Sequence, residues 1–421
     1  MAIEIRPADD PRDFTRFVDL PWRLYRSDPL WVPPLKADVR GMFDRKKNPF
    51  FEHAVIQPYL AWRDGRAVGR IVAIDNRAHN EFHEDRVGFF GFFECEDDPE
   101  AARALFDAAQ AWLAARGKDR LRGPMNFSTN DDCGSLIDGF DRPPMILMPH
   151  NPTYYARLYE AAGFAKSKDL LAYWLDNDIP PERIVKAVEL IRRRKGFVTR
   201  PMDMSRFDSE VELIRRIYNS AWEKNWGFVP MTQAEIEHMA KQLKPVVDPA
   251  IVVFAELRGE PIGFALGLPD LNLALKHANG SLFPLGALKI WWHARSIHQI
   301  RVLTLGVKEG YRTSGVDVLL YFELFERGRA RGYRRGEFSW ILEDNLAMRR
   351  PLENMGCVPY KTYRVYERAI PVPSATIAGA GAPAVAGAPA AAPAAAPAAD
   401  STAPQAPAPP VPAPASSSVS A

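Results

Sequence analysis

The chain has 421 residues, of which 47% are hydrophobic and 25% charged, and 54 Lys and Arg against 52 Asp and Glu give a net charge of +2. That length suits two or three domains with a core that needs no disulfide or metal staple, and the balanced charge argues against the basic face of a nucleic-acid binder. Cys95, Cys133 and Cys357 are scattered and odd in number, which argues against a disulfide framework or a zinc site and fits a reducing cytoplasm.

The first seven residues carry charge where a signal peptide needs an apolar core. No stretch reaches the roughly 18 apolar residues of a spanning helix; residues 282–292 come nearest and include Lys289. The expected location is the cytoplasm, with peripheral contact at the cytoplasmic face of the membrane left open.

Residues 3–6 read as an opening strand. Residues 55–62 and 67–74 form a hairpin around Asp64-Gly65. His79 and His83 stand at i and i+4, where they could share a helix face, but no third metal ligand is apparent and residues 81–85 read as a solvated turn. No metal is expected. Residues 99–116 show apolar spacing of three and four and predict a long helix. The stretch 123–150 is polar, with Asn126, Ser128, Asn130, Asp131 and Asp132. It reads either as a holder for a polar acceptor head or as a solvated turn. Cys133 as a nucleophile would need a nearby base, and His150 is the nearest histidine in sequence.

The second half repeats the first. Ala255-Glu-Leu-Arg-Gly-Glu-Pro-Ile-Gly263 has the layout of Ala61-Trp-Arg-Asp-Gly-Arg-Ala-Val-Gly69, 194 positions later (61 to 255). Asn345 echoes Asn151, Gly356-Cys357 echoes Gly163-Phe164, and Arg329-Ala-Arg-Gly332 matches Ala114-Ala-Arg-Gly117. Four ordered anchors predict a duplication, each copy with its own insertion. The second copy opens with a strand at 197–200, carries its hairpin at 251–257 and 262–268, and has an apolar insertion over 270–296 with Trp291 and Trp292. That insertion reads as an acyl-channel lining, a membrane-surface element or a packed helix. Asp270 and Asn272 end a strand, where Asp270 either accepts a proton from an ammonium or caps a turn. From residue 371 on, Ala, Pro, Gly, Ser and Val dominate and Asp400 is the one charge, the composition of a disordered tail.

The strongest motif is Leu303-Thr-Leu-Gly-Val-Lys-Glu-Gly-Tyr-Arg-Thr-Ser-Gly-Val-Asp317 ahead of a predicted helix at 316–331. Arg312-x-x-Gly315 would turn a strand into that helix, with several N–H groups and the positive helix end aimed at a pyrophosphate. This segment resembles the acyl-CoA pyrophosphate loop of the GNAT acyltransferase superfamily. It departs from the pattern at Asp317, where Gly or Ala is usual. The superfamily's second cofactor-side helix is matched by Asn345-Leu-Ala347 and Met355-Gly356, with Leu352 where a protonating tyrosine is usual. The first copy keeps Tyr159 at that place but carries Asp97-Asp98-Pro99-Glu100 opposite the loop, three carboxylates that would repel a pyrophosphate.

Residues 24–35, Lys47-Asn-Pro-Phe-Phe-Glu-His53, Gly123-Pro-Met-Asn-Phe-Ser128 and Asn225-Trp-Gly-Phe-Val-Pro-Met231 resemble the tandem-GNAT branch that includes the bacterial ceramide synthases. The resemblance implies an α/β protein of two tandem GNAT-like domains, each a mixed β-sheet flanked by helices. The first, 1–176, would lack the pyrophosphate loop; the second, 177–370, would bind acyl-CoA; 371–421 would be the tail.

It also implies an N-acyltransferase that joins an acyl thioester to a long-chain amine such as the sphingoid base 3-oxosphinganine. Acyl-CoA would be a co-substrate, with acyl carrier protein as the other possible donor, and nothing would be bound permanently. Leu305, Val307, Arg312, Thr313, Ser314, Gly315, Val316 and Asn345 would hold the cofactor; Asp270 and Asn272 would be catalytic; Asn126, Asn130, Asn225, Trp226 and Trp291 would meet the amine. An acetyltransferase for a small polar amine or peptide, or a non-catalytic acyl-CoA-binding protein, are the alternatives.

Overall fold

The computed structural model describes residues 2–371 other than Asn177, Asp178 and Lys224. The expected tail lies, from residue 372 on, outside the described residues.

Two hairpins set the pattern. In the first half β1 (Glu4–Pro7), α1 (Pro11–Leu24) and α2 (Lys36–Met42) lead into β2 (Ala54–Arg63) and β3 (Arg66–Asn76). In the second, α6 (Glu182–Lys195), β10 (Phe197–Pro201), α7 (Phe207–Trp222) and α8 (Gln233–Leu243) lead into β11 (Val252–Leu257) and β12 (Glu260–Pro269). Both hairpins turn over two residues at positive φ, Asp64 (53°) with Gly65 (72°) and Arg258 (54°) with Gly259 (80°). That is the requirement of a tight turn matched to strand twist.

The first half continues through α3 (Arg77–His83), β4 (Val87–Cys95), α4 (Pro99–Ala114), β5 (Arg120–Gly123), the short β6 (Met125–Asn126), β7 (Asp132–Cys133) and β8 (Ser135–Asp138), then α5 (Tyr155–Ala161) and β9 (Ala165–Leu175). The second continues through α9 (Asn272–Leu275), α10 (Gly286–Ala294), β13 (Gln299–Val307), α11 (Val316–Ala330), β14 (Arg335–Leu342), α12 (Leu346–Asn354) and β15 (Val358–Ala369). The reading of residues 81–85 as a solvated turn is corrected in part: 81–83 are the last turn of α3, while 84–85 leave it as a turn with Glu84 exposed. Asn76 caps α3 by accepting from the His79 N–H at 3.2 Å, and His79 is buried on that helix.

All the strands except the β6–β7 pair join one sheet in the order β1-β2-β3-β4-β5-β15-β9-β14-β13-β12-β11-β10, with β8 paired to β15. The closing strands are exchanged. β9 of the first half pairs with β14 (Tyr173 opposite Phe338), β15 of the second pairs with β5 (Tyr366 opposite Gly123), and the two pair with each other. Each half completes the other's sheet.

Strand side chains alternate between two covered faces. In the first half Val72 and Ile74 pack with Phe17 and Val18 of α1, while Ile71 and Ala73 pack with Leu105 and Phe106 of α4. In the second, Phe254 and Phe264 meet α7, and Val253 and Ala265 meet α11.

Candidate active site

In each half one parallel strand pair comes apart. β13 and β14 pair only from Gln299–Arg335 to Val302–Phe338. Beyond that, β13 keeps β12 alone, Leu305 opposite Ala265 and Val307 opposite Gly263, after a register shift at Leu266/Gly267. The Lys308 N–H donates to the Ile262 carbonyl at 2.9 Å. Strand alternation then turns the N–H groups of Leu305 and Val307 to the opposite edge, facing the gap.

The loop at the mouth of this gap runs from Arg312 to the start of α11. Gly315 holds φ +85°, and a Cβ there would lie 2.7 Å from Ile191 of α6, so conformation and space both call for glycine. No side chain caps α11. The Gly315 carbonyl receives the Leu319 N–H, so the first-turn N–H groups lie ahead of the intrahelical ladder, with the positive helix end behind them. Asp317 sits in that turn. Burial raises its pKa. Arg312 is exposed and donates to the Ala221 carbonyl at 2.9 Å, Ser314 Oγ donates to the Tyr311 carbonyl at 2.6 Å, Thr313 is exposed, and Val316 is a core residue. Asn345 caps α12, accepting from the Met348 N–H at 3.2 Å.

The first half fills the equivalent place with its own charge. Asp98 caps α4, accepting from the Glu100 and Ala101 N–H groups at 3.1 Å. Arg63 pairs with Asp98 at 2.8 Å and with Glu100 at 2.7 Å, and Arg157 pairs with Asp97. The N–H groups that α11 leaves without a side-chain cap are here taken by a carboxylate.

Trp222, the last residue of α7, covers β13 at Gly306. The segment after it crosses to the first half: Gly227 accepts from Thr129 Oγ1 at 2.6 Å, Val229 from Asn130 Nδ2 at 3.2 Å, and the Phe228 carbonyl lies 2.8 Å from His83 Nε2. Asn130 also accepts from Tyr218 at 2.9 Å, and Asn126 accepts from the Phe92 N–H at 2.7 Å. Asn225 and Trp226 line a cavity of 380 Å³ with His79, His83, Asp85, Arg122 and Glu223. The Trp226 ring lies within 5.5 Å of the Arg122 guanidinium and 5.9 Å of the Lys168 ammonium. His79 Nε2 is 3.5 Å from Asp85 and has no hydrogen-bond partner among the described residues. Burial, with His83 beside it, pushes the His79 pKa down to about 3.

The structure thus puts Asn225 and Trp226 at one cavity, Asn130 against the segment that follows them, and Leu305, Val307 and the Arg312–Gly315 loop along the gap. It does not bring Trp291 into the cavity; that ring stands exposed on α10 under the Arg295 guanidinium. Asp270 is 1% exposed. Its Oδ1 accepts from the N–H groups of Ile146 (2.9 Å) and Asn272 (3.3 Å), and its Oδ2 from Gln299 (2.7 Å). Burial raises its pKa to about 6. Asn272 donates to the Pro144 carbonyl at 2.9 Å. Both residues therefore tie the second insertion to the first half.

Asp85, Arg122 and Glu223 are isolated charges in the sequence, and they meet only because the segment after α7 crosses to the first half. His79 and His83 were visible there only as a metal-like spacing, and among the described residues no cluster of three or more His, Cys, Asp or Glu is placed to hold a metal ion. Cys133 is buried and burial raises its thiol pKa; His150 is engaged with Asp28 at 2.8 Å.

Two fused halves with parted parallel strands and a glycine-led helix give the chain a tandem GNAT fold. The fold is similar to that of the solved tandem GNAT protein from the clavulanic acid biosynthesis pathway, with a TM-score of 0.51 at 14% identity over 88% of this chain and 99% of that one. No protein-family model matches the chain. It is 41% identical over 383 residues to the bacterial ceramide synthase of Caulobacter vibrioides, covering 87% of this chain and 98% of that protein. It is 38% identical over 373 residues to Protein YghO of Escherichia coli K12, covering 87% and 95%. The chain belongs to the bacterial ceramide synthase family and is an acyltransferase. GNAT proteins generally use acyl-CoA as co-substrate. No helix among the described residues is long and apolar enough to cross a membrane.

Proposed function

We propose that the second half carries catalysis, binding the pyrophosphate of a long-chain acyl-CoA at Arg312–Gly315, with Asn345 beside the cofactor, while a sphingoid-type amine approaches across the segment 225–231. The observation that carries this reading is the contrast between the two helix starts: α11 is headed by Gly315 with no side-chain cap, and α4 is capped by Asp98 and lined with paired carboxylates. An acyl carrier protein would present the same phosphopantetheine arm and is the other donor to be tried.

In the reaction the neutral amine attacks the thioester carbonyl carbon. The C–N bond forms, the carbonyl oxygen becomes an oxyanion at the Leu305 and Val307 N–H groups, and the intermediate collapses with loss of the CoA thiolate. The nitrogen gives up one proton and the thiolate ends as a thiol, so charge and atoms balance. Asp85 and Glu223, in the cavity with Asn225 and Trp226, supply the carboxylates suited to an ammonium head. We assign Asp270 and Asn272 to fixing the insertion, because every oxygen of Asp270 is already engaged. The lipid acceptor would be reached by peripheral contact with the cytoplasmic face of a membrane.

The test is mass-spectrometric detection of amide from palmitoyl-CoA and 3-oxosphinganine, with the Arg312→Glu variant as control. Amide from wild type but not from the variant supports the reading. Acetylation of small polar amines in its place overturns the lipid assignment.

A further inference from the structure

The insertion that leaves β12 at Asp270 and rejoins β13 at Gln299 presents its large apolar side chains to solvent. Phe283 is 84% exposed, Trp292 66%, Leu288 58%, and Leu285 and Trp291 57% each, while the one buried residue of α10 is Gly286. Leu285, Leu288 and Trp292 recur at three- and four-residue spacing, so they share a face of the helix. The insertion is firmly mounted: the Lys36 N–H donates to Gly280 at 3.0 Å, Trp22 Nε1 donates to Asn279 at 3.3 Å, and the Trp22 ring leaves no room for a Cβ on Gly280.

Charge says what covers this face. Between Asp270 and Gln299 the insertion has no Asp or Glu, but it has Lys276, Lys289 and Arg295. Lys289 and Arg295 are exposed at the patch, with the Arg295 guanidinium 3.3 Å over the Trp291 ring. A two-fold copy of the chain would set these cations against themselves with no carboxylate from the segment between them. Exposed Trp and Leu rimmed by Lys and Arg is instead the composition that settles at the headgroup–acyl boundary of an anionic bilayer.

We infer that the α9–α10 insertion docks on a bilayer carrying anionic phospholipid. The patch adjoins the start of β13 and the Arg312–Gly315 loop follows its end, nine residues along the strand, about 30 Å. The soluble thioester therefore enters at one end of the strand while the lipid-bound acceptor comes from the other. This last step rests on the lipid-amine reading; the docking itself does not.

Full-length protein is sedimented with vesicles of phosphatidylcholine alone or with about one third phosphatidylglycerol, at low and high salt, and its state in solution is measured by light scattering. Retention on the anionic vesicles, weakened by salt and lost at least tenfold in both Leu288→Ser/Trp292→Ser and Lys289→Glu/Arg295→Glu, is expected. Both variants replace exposed residues and should keep wild-type turnover on substrate dispersed in detergent. Wild type that stays in the supernatant with both vesicle types overturns the docking, even if detergent assays show amide synthesis. A dimer that the Trp292 variant splits, without vesicle binding, also overturns it in favour of a second copy. Docking without amide synthesis would leave the surface intact and sink the function reading alone.

Discussion

Trp222 rests on Gly306 so closely that a Cβ built on the glycine would come within 2.4 Å of its ring. The glycine lets α7 close over the open stretch of β13, and the same closeness fixes where the Leu305 and Val307 N–H groups stand. Gly306→Ala is therefore expected to cost about 1–3 kcal/mol, the usual range for overpacking, and to lower kcat more than it raises KM. Urea unfolding and steady-state kinetics check both. Trp222→Leu in the same chain should recover part of the stability, because it removes the atoms that the new methyl meets.

Two charges at the head of α11 act in opposite directions on an incoming pyrophosphate. Arg312→Glu puts a carboxylate where a cation stood and should weaken CoA binding at least tenfold. Asp317→Ala removes a carboxylate from the first turn, where an anionic ligand would meet it, and should tighten CoA binding a few-fold, at a stability cost within about 1 kcal/mol. Calorimetric titration with CoA reads both. An Asp317→Ala protein that binds CoA more weakly would contradict this view of the loop.

The features legible in the sequence were the local ones. The paired hairpins show through Asp64-Gly65 and Arg258-Gly259, the long helices through their apolar spacing, and the glycine-led start of α11 through Arg312-x-x-Gly315. The exchange of β9 and β15 was invisible, because pairing Tyr173 with Phe338 and Tyr366 with Gly123 is decided by tertiary fit between distant strands. α3 was misread for a related reason. Residues 81–85 are mostly polar and read as a turn, and what carries the helix through His83 is the Asn76 cap and the packing of the His79 ring, 4.7 Å from Phe89.

His79 gives the fold a defined acid sensitivity. The unfolded chain takes up its proton near pH 6.5, whereas the folded protein holds it off until about 3. Between those values the unfolded state binds one proton more, so stability falls with pH by about 1.4 kcal/mol per unit. From pH 7 to pH 5 the wild type should lose about 2 kcal/mol more than His79→Gln, measured by urea unfolding at both pH values. Equal losses would contradict the burial of a neutral imidazole.

Cys133 tests whether an acyl-enzyme forms. Its thiol is buried and its pKa raised, while a nucleophilic cysteine needs a depressed one. Cys133→Ala is expected to keep its turnover, and intact-mass analysis after mixing with acyl-CoA should show no acyl adduct on the wild type. An adduct lost in the variant would point to a two-step mechanism.

What the enzyme makes tests its function most directly. Incubated with palmitoyl-CoA and 3-oxosphinganine, the wild-type protein should form the long-chain amide and release one CoA thiol per amide, and Arg312→Glu should form neither. Product from acetyl-CoA and small polar amines alone, or binding of CoA with no amide from any pair, would contradict the lipid N-acyltransferase.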